Sequence, residues 1–263
     1  MRRVELPGVV LNTAVDGPDG APWIVLSNSL GASLAMWDPQ MALLTRTYRV
    51  LRYDTRGHGQ SDAPPGPYSF DALIGDVLAL MDHYRIEQAH FMGLSMGGMT
   101  GLGLALTDPG RFRGVICADG RADAPPPFRA MWDDRIAKVS QGGLEAIVEG
   151  TLASWLTDDW RMANPGPTEA IRKMVLSNAP DGYIACCEAL KTLDYLKDLS
   201  HVSCPVLYIG GALDKGAPPE VMQAMAAATP GATYVQIAAA AHVANINAPE
   251  AFNAALAGML DVA

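Results

Sequence analysis

The most constraining stretch of this chain runs from Ala89 to Thr100. The apolar segment Ala89-His90-Phe91-Met92 ends in Gly93-Leu94-Ser95-Met96-Gly97 and passes straight into small residues of helical character. A serine between a buried strand and a helix, with glycine two residues to either side, has the strand-turn-helix context of a nucleophile elbow. Such a turn is sharp and its serine backbone strained, so strand and helix pass closely and the flanking positions must be small. Gly93 and Gly97 meet that requirement, and the Ser95 hydroxyl is expected to stand over the sheet edge. The pentapeptide alone is a weak signal, since roughly one chain in ten of this size carries it by chance. Its surroundings must carry the argument.

Upstream, residues 9–15, 22–27 and 48–53 read as strands, and residues 70–84 as a helix with Leu73, Val77, Leu80 and Met81 as its buried stripe. Residues 114–119, 204–211 and 233–237 continue the strand pattern, with helices over 217–228 and 249–260. Continuous apolar runs indicate strands covered on both faces. Strands alternating with helices predict a doubly wound, mostly parallel sheet, with reactive groups at the carboxyl ends of its strands. Between Gly120 and Ser203 the rhythm breaks: Ala124-Pro125-Pro126-Pro127 opens helical segments that contain Trp132, Trp155 and Trp160. The expected organisation is a core domain of residues 1–120 and 204–263, with residues 121–203 inserted as a helical cap over the strand edge.

With 263 residues, 49% of them hydrophobic, the chain is long enough for one large domain with a core. A net charge of −9 disfavours nucleic acid or an anionic membrane as partner. No apolar stretch reaches spanning length and none follows the first basic residues as in a signal peptide, so a cytoplasmic protein is expected. Cys117, Cys186, Cys187 and Cys204 lack C-x-x-C spacing and read as reduced core residues. The five histidines lack metal-ligand spacing, and no phosphate-binding glycine loop follows a strand, so neither metal nor cofactor is expected. His58, in the turn Gly57-His58-Gly59, reads as a loop-stabilising residue rather than a base. Oligomeric state is left open.

A serine hydroxyl is a poor nucleophile until a base contacts it and a third group holds that base in the right tautomer. Ser95, Asp214 and His242 each fall just beyond a strand, in the chain order nucleophile, acid, base that accompanies the elbow of α/β-hydrolases. Asp119, also at a strand end, ranks behind Asp214 as the acid. The oxyanion needs two N–H donors, one from Met96 after the nucleophile and one from the loop Asn28-Ser29-Leu30-Gly31, with Leu30 the expected residue. Trp132, Arg135, Trp155, Asp119 and Arg121 are the candidates for lining a substrate pocket.

Ser27-Asn28-Ser29-Leu30-Gly31, Met36-Trp37-Asp38-Pro39-Gln40, Arg52-Tyr53-Asp54-Thr55-Arg56-Gly57-His58-Gly59 and Gly93-Leu94-Ser95-Met96-Gly97-Gly98-Met99 together resemble 3-oxoadipate enol-lactonases. So do Gly182-Tyr183 before Cys186-Cys187, and Ala241-His242 before Asn245. The resemblance implies the α/β-hydrolase fold, a mostly parallel sheet of the eight-stranded type with helices on both faces and a helical cap. It implies a lactonase or serine esterase acting on small esters, and it carries the family's triad onto Ser95, Asp214 and His242 and its oxyanion donors onto Leu30 and Met96. The run Asp119-Gly120-Arg121-Ala122-Asp123-Ala124 departs from that pattern by adding acids close to the pocket. Those acids favour a carboxylesterase of neutral esters as the alternative. They predict that a neutral substrate outruns its carboxylate-bearing analogue unless Arg121 or Arg135 offsets them. A slow ligand-sensing protein built on the same pocket is the reading from another class.

Overall fold

The computed structural model describes residues 1–262. Among them, eight strands form one sheet: β1 (Arg2–Leu6), β2 (Val9–Asp16), β3 (Trp23–Ser27), β4 (Arg49–Tyr53), β5 (Ala89–Leu94), β6 (Phe112–Ala118), β7 (Val206–Gly211) and β8 (Thr233–Ile237). Their order across the sheet is β1-β2-β4-β3-β5-β6-β7-β8. β2 pairs antiparallel with β1 and β4, and every other pairing is parallel. The helices are α1 (Asp38–Leu44), α2 (Phe70–His83), α3 (Met96–Thr107), α4 (Pro126–Gly142), α5 (Val148–Trp155), α6 (Asp158–Ala163), α7 (Pro165–Leu176), α8 (Pro180–Lys191), α9 (Pro219–Ala228), α10 (Ala244–Asn247) and α11 (Pro249–Leu256).

Side chains alternate across a strand, and the two faces of the sheet bury separate clusters. Ile24, Leu26, Val50, Met92, Ile116 and Ile209 pack with Leu44 of α1 and Phe252 of α11. The intervening Val25, Leu51, Phe91, Val115 and Tyr208 pack with Val77 and Leu80 of α2, Leu102 of α3 and Met222 of α9. Covering both faces explains why the central strands are apolar without alternation. β1 was not expected from the sequence, because only Val4 of its five residues is buried and a one-sided edge strand leaves little pattern. The terminal helix expected over 249–260 is α11, which starts at Pro249 but stops at Leu256, and the short α10 precedes it.

All of α4 to α8 lies between β6 and β7, with α4 packed on α8 and α5 on α7. The inserted helices meet the loop after β4 backbone to backbone. A Cβ on Gly57 would lie 2.6 Å from the Gly182 Cα, and one on Gly182 would lie 2.4 Å from the Gly57 Cα. Neither position has room for a side chain. Beside this seam Arg56 donates two hydrogen bonds, 2.7 and 2.6 Å, to the buried Asp76 carboxylate of α2. All four cysteines are buried and unpaired. Among the described residues no helix is long and apolar enough to cross a membrane.

Candidate active site

Ser95 sits between β5 and α3 with φ 55° and ψ −117°, a conformation that costs an L-residue strain and persists only where its surroundings enforce it. The enforcement is visible at both glycines. A Cβ on Gly93 would lie 2.1 Å from the Gly97 carbonyl, and one on Gly97 would lie 2.3 Å from the Ser27 oxygen. Ser95 N–H donates to the Ala118 carbonyl at 2.7 Å, tying the elbow to β6.

His242 and Asp214 reach the same point from the loops after β8 and β7. His242 Nε2 lies 2.9 Å from Ser95 Oγ, and its Nδ1 lies 2.8 Å from Asp214 Oδ2. With Nδ1–H donating to the carboxylate, Nε2 is left as the acceptor for the serine proton. Asp214 Oδ1 accepts the Gly216 N–H at 2.7 Å, which fixes the carboxylate plane. Burial opposes a charge on the imidazole, but the Asp214 carboxylate, its hydrogen bond and the nearby Asp119 outweigh it, so the His242 pKa lies above the ordinary histidine value. Burial likewise opposes ionisation of Asp214, yet His242 and the Gly216 and Ala217 N–H groups hold its pKa below the ordinary carboxyl value.

Near Ser95, the backbone N–H groups of Leu30 and Met96 have no backbone acceptor among the described residues. Met96 is the first residue of α3, where a helix leaves its N–H unpaired. Leu30 and Gly31 are the central residues of a turn closed by Ala32 N–H on the Ser29 carbonyl at 3.1 Å. Gly31 has φ +83°, the value a type II turn needs at its third position.

Asp119 also lies here, buried and at φ 46°, but its oxygens are taken by backbone. Oδ1 accepts the Gly211 N–H at 2.8 Å and Oδ2 the Ala244 N–H at 3.2 Å. Burial first, and then the neighbouring Asp214, raise its pKa well above the carboxyl norm. It ties the acid-bearing loop to the base-bearing one. His58 is buried, with Nδ1 3.1 Å from the Arg56 carbonyl, and burial pushes its pKa down to about 4.

A cleft of about 570 Å³, its open mouth included, joins Ser95, His242 and Leu30 to the inserted helices. Trp132, Arg135, Trp155 and Asp119 line it as expected, and Arg121 does not. Arg121 is drawn away by its own neighbours, donating to Asp123 Oδ1 at 3.2 Å and to the Gly216 carbonyl at 3.3 Å while stacking over Phe128. That pairing also corrects the expected acidity of the pocket. Asp123 is neutralised by Arg121 outside the lining, and the Asp119 carboxylate is closed off in the floor. The charge that faces the cleft is positive. Arg135, half-buried, donates to the Tyr183 hydroxyl at 2.6 Å and to the Thr151 hydroxyl, and is held by hydroxyls rather than a carboxylate.

The sequence reading missed Phe128 and Met131 on α4, Thr151 and Ser154 on α5, and Tyr183 on α8 as lining residues. Residues 128, 131, 132 and 135 share the i, i+3, i+4, i+7 spacing of one helix face, so Trp132 and Arg135 could have led to the other two. Among the described residues no group of three or more His, Cys, Asp or Glu is placed to hold a metal.

A profile for the alpha/beta hydrolase fold matches residues 22–249. The chain is 38% identical to 3-oxoadipate enol-lactonase 2 of Acinetobacter baylyi over 252 residues, 96% of this chain and 93% of that protein. The crystal structure of the enol-lactonase from Burkholderia xenovorans superposes with a TM-score of 0.95 at 39% identity, covering 98% of this chain and 99% of the other. A thermophilic esterase from Thermogutta terrifontis, solved with malate bound, superposes with a TM-score of 0.91 at 29% identity, covering 98% and 97%.

Proposed function

We propose, from the premise that this chain belongs to the α/β-hydrolase family, that it opens a carboxylate-bearing enol-lactone through an acyl-enzyme on Ser95. It is a hydrolase of the ester and lactone type, in line with its enol-lactonase relatives. One observation carries the finer assignment: the unbroken contact from Asp214 through His242 to Ser95, beneath two N–H groups without backbone acceptors. Ser95 Oγ attacks the lactone carbonyl while His242 Nε2 takes its proton, and the Leu30 and Met96 N–H groups receive the negative oxygen. Collapse breaks the ring C–O bond, and His242 returns the proton to the leaving enol oxygen. That group stays tethered to the acyl chain and tautomerises to the ketone. Water, deprotonated by His242, then cleaves the ester to Ser95.

Arg135 supports an anionic substrate, because it is the charge presented to the cleft and has no carboxylate of its own. The neutral-ester alternative rested on Asp119 and Asp123, and the geometry of both removes that support. The reading treats residues 121–203 as a cap on a core of 1–120 and 204–263. It includes a cytoplasmic location, supported by the four unpaired, buried cysteines.

Ser95→Ala is the test. Lactone and ester hydrolysis should fall by at least about a thousandfold with thermal unfolding unchanged, and a fluorophosphonate should label the wild type alone. Turnover retained in folded Ser95→Ala would refute the assignment.

A further inference from the structure

The turn that presents Leu30 is gripped from the inserted helices. Asn178, just past α7 and buried, donates from Nδ2 to the Gly31 carbonyl at 2.8 Å, while its Oδ1 accepts the Gly59 N–H at 2.9 Å. The same Nδ2 lies 3.0 and 2.9 Å from the Met174 and Val175 carbonyls at the end of α7, which anchors the amide to that helix. One side chain thus links α7, the turn after β3 and the loop after β4. The Tyr183 ring closes the other side, since a Cβ on Gly31 would meet it at 3.3 Å. From the core, Leu34 N–H donates to Asp54 Oδ1 at 2.7 Å and holds the chain leaving the turn.

The turn itself is closed by one 3.1 Å hydrogen bond, so the direction of the Leu30 N–H depends on how the turn is held by its neighbours. Stabilising an oxyanion depends on donors fixed before charge develops. We infer that Asn178 is a positioning residue for the oxyanion site, so that the inserted helices complete the catalytic apparatus as well as the pocket wall. Asn178 touches no reacting atom and acts through the Gly31 carbonyl. The inference rests on the reading of Leu30 as an oxyanion donor.

Asn178→Asp is nearly isosteric and keeps an acceptor for Gly59, but it turns an oxygen toward the Gly31 carbonyl. It should lower kcat about tenfold to a hundredfold, as expected for a slight misplacement of a catalytic group. KM should stay within about threefold, and the inhibition constant of phenylboronic acid, a tetrahedral mimic, should rise by the same factor as kcat falls. Ile171→Ala, a cavity in the buried face of α7 that leaves Asn178 in place, supplies the structural control: it should lower the thermal midpoint and leave kcat unchanged. If Asn178→Asp fails to fold, Asn178→Ser is read by the same measurements. Wild-type kcat and boronate affinity in a destabilised Asn178 variant would overturn the inference, as would a rise in KM alone. With Ser95→Ala dead and Asn178→Asp fully active, only this inference fails. With Ser95→Ala active, the underlying reading fails.

Discussion

Removing the charge of Arg135 should remove the preference of the enzyme for a carboxylate-bearing substrate. Arg135→Gln keeps a donor at the position of Nε, which serves the Tyr183 hydroxyl, but loses the cation and the reach to the Thr151 hydroxyl. A substrate carboxylate about 4 Å from a guanidinium gains about 4 kcal/mol at an effective dielectric of 20. The side chain is half-buried and the cleft open at its mouth, so solvent screens part of this, leaving about 2 kcal/mol or roughly thirtyfold. The assay compares kcat/KM for a γ-lactone bearing a carboxylate with that for its carboxamide. The wild type should favour the acid. Arg135→Gln should cost the acid about thirtyfold and the amide less than about threefold. Equal losses on both substrates would refute the reasoning, because Arg135 would then act only by propping Tyr183 and Thr151. So would a wild type that prefers the amide, the outcome expected if Asp119 and Asp123 faced the pocket.

The remaining predictions concern the acid and the base. Asp214→Asn should lower turnover by about a thousandfold or more through loss of the His242 tautomer, whereas Asp119→Asn, which keeps a carbonyl for one backbone N–H, should cost far less; the reverse order would move the triad to Asp119. Because His242 must be neutral to accept the serine proton and its pKa is raised, kcat/KM for a neutral ester should climb with pH through an ionisation above about 6.5 and level off beyond it. Asp119→Asn removes one of the charges that raise that pKa and should move the limb toward acid; a limb left in place would show that Asp119 does not act on His242 electrostatically.

The sheet and the meeting of Ser95, Asp214 and His242 were legible in the sequence because both rest on local signals. A buried parallel strand is a continuous apolar run, as in β5 and β7, and Ser95 follows β5 directly while Asp214 and His242 lie in the loops just after β7 and β8. β1 escaped because an edge strand with one buried residue has no run to read. The pocket wall escaped for a different reason. A helix in an insertion shows which residues are apolar or aromatic but not which face turns toward the sheet, so the sequence points to Trp132 and not to Tyr183 or Met131. Charge was misjudged for the same reason: Asp123 and Arg121 are near neighbours in sequence, and only the fold reveals that they neutralise each other beside the site. Asn178 carries no sequence signal, since its importance lies in two carbonyl and amide groups brought from distant loops.

The contact between Gly57 and Gly182 has a consequence for how such an enzyme can change over generations. A methyl group on either residue would force the two backbones apart, and the displacement would carry α8 with it, Tyr183 included. Mutational drift is therefore blocked at the seam for reasons unrelated to chemistry. The outward end of the pocket is under no such constraint, because the side chains of Phe128, Met131 and Ser154 can be exchanged without moving any backbone past another. New substrates are expected to be acquired there, on α4 and α5, while the two glycines remain as the fixed pivot of the lineage.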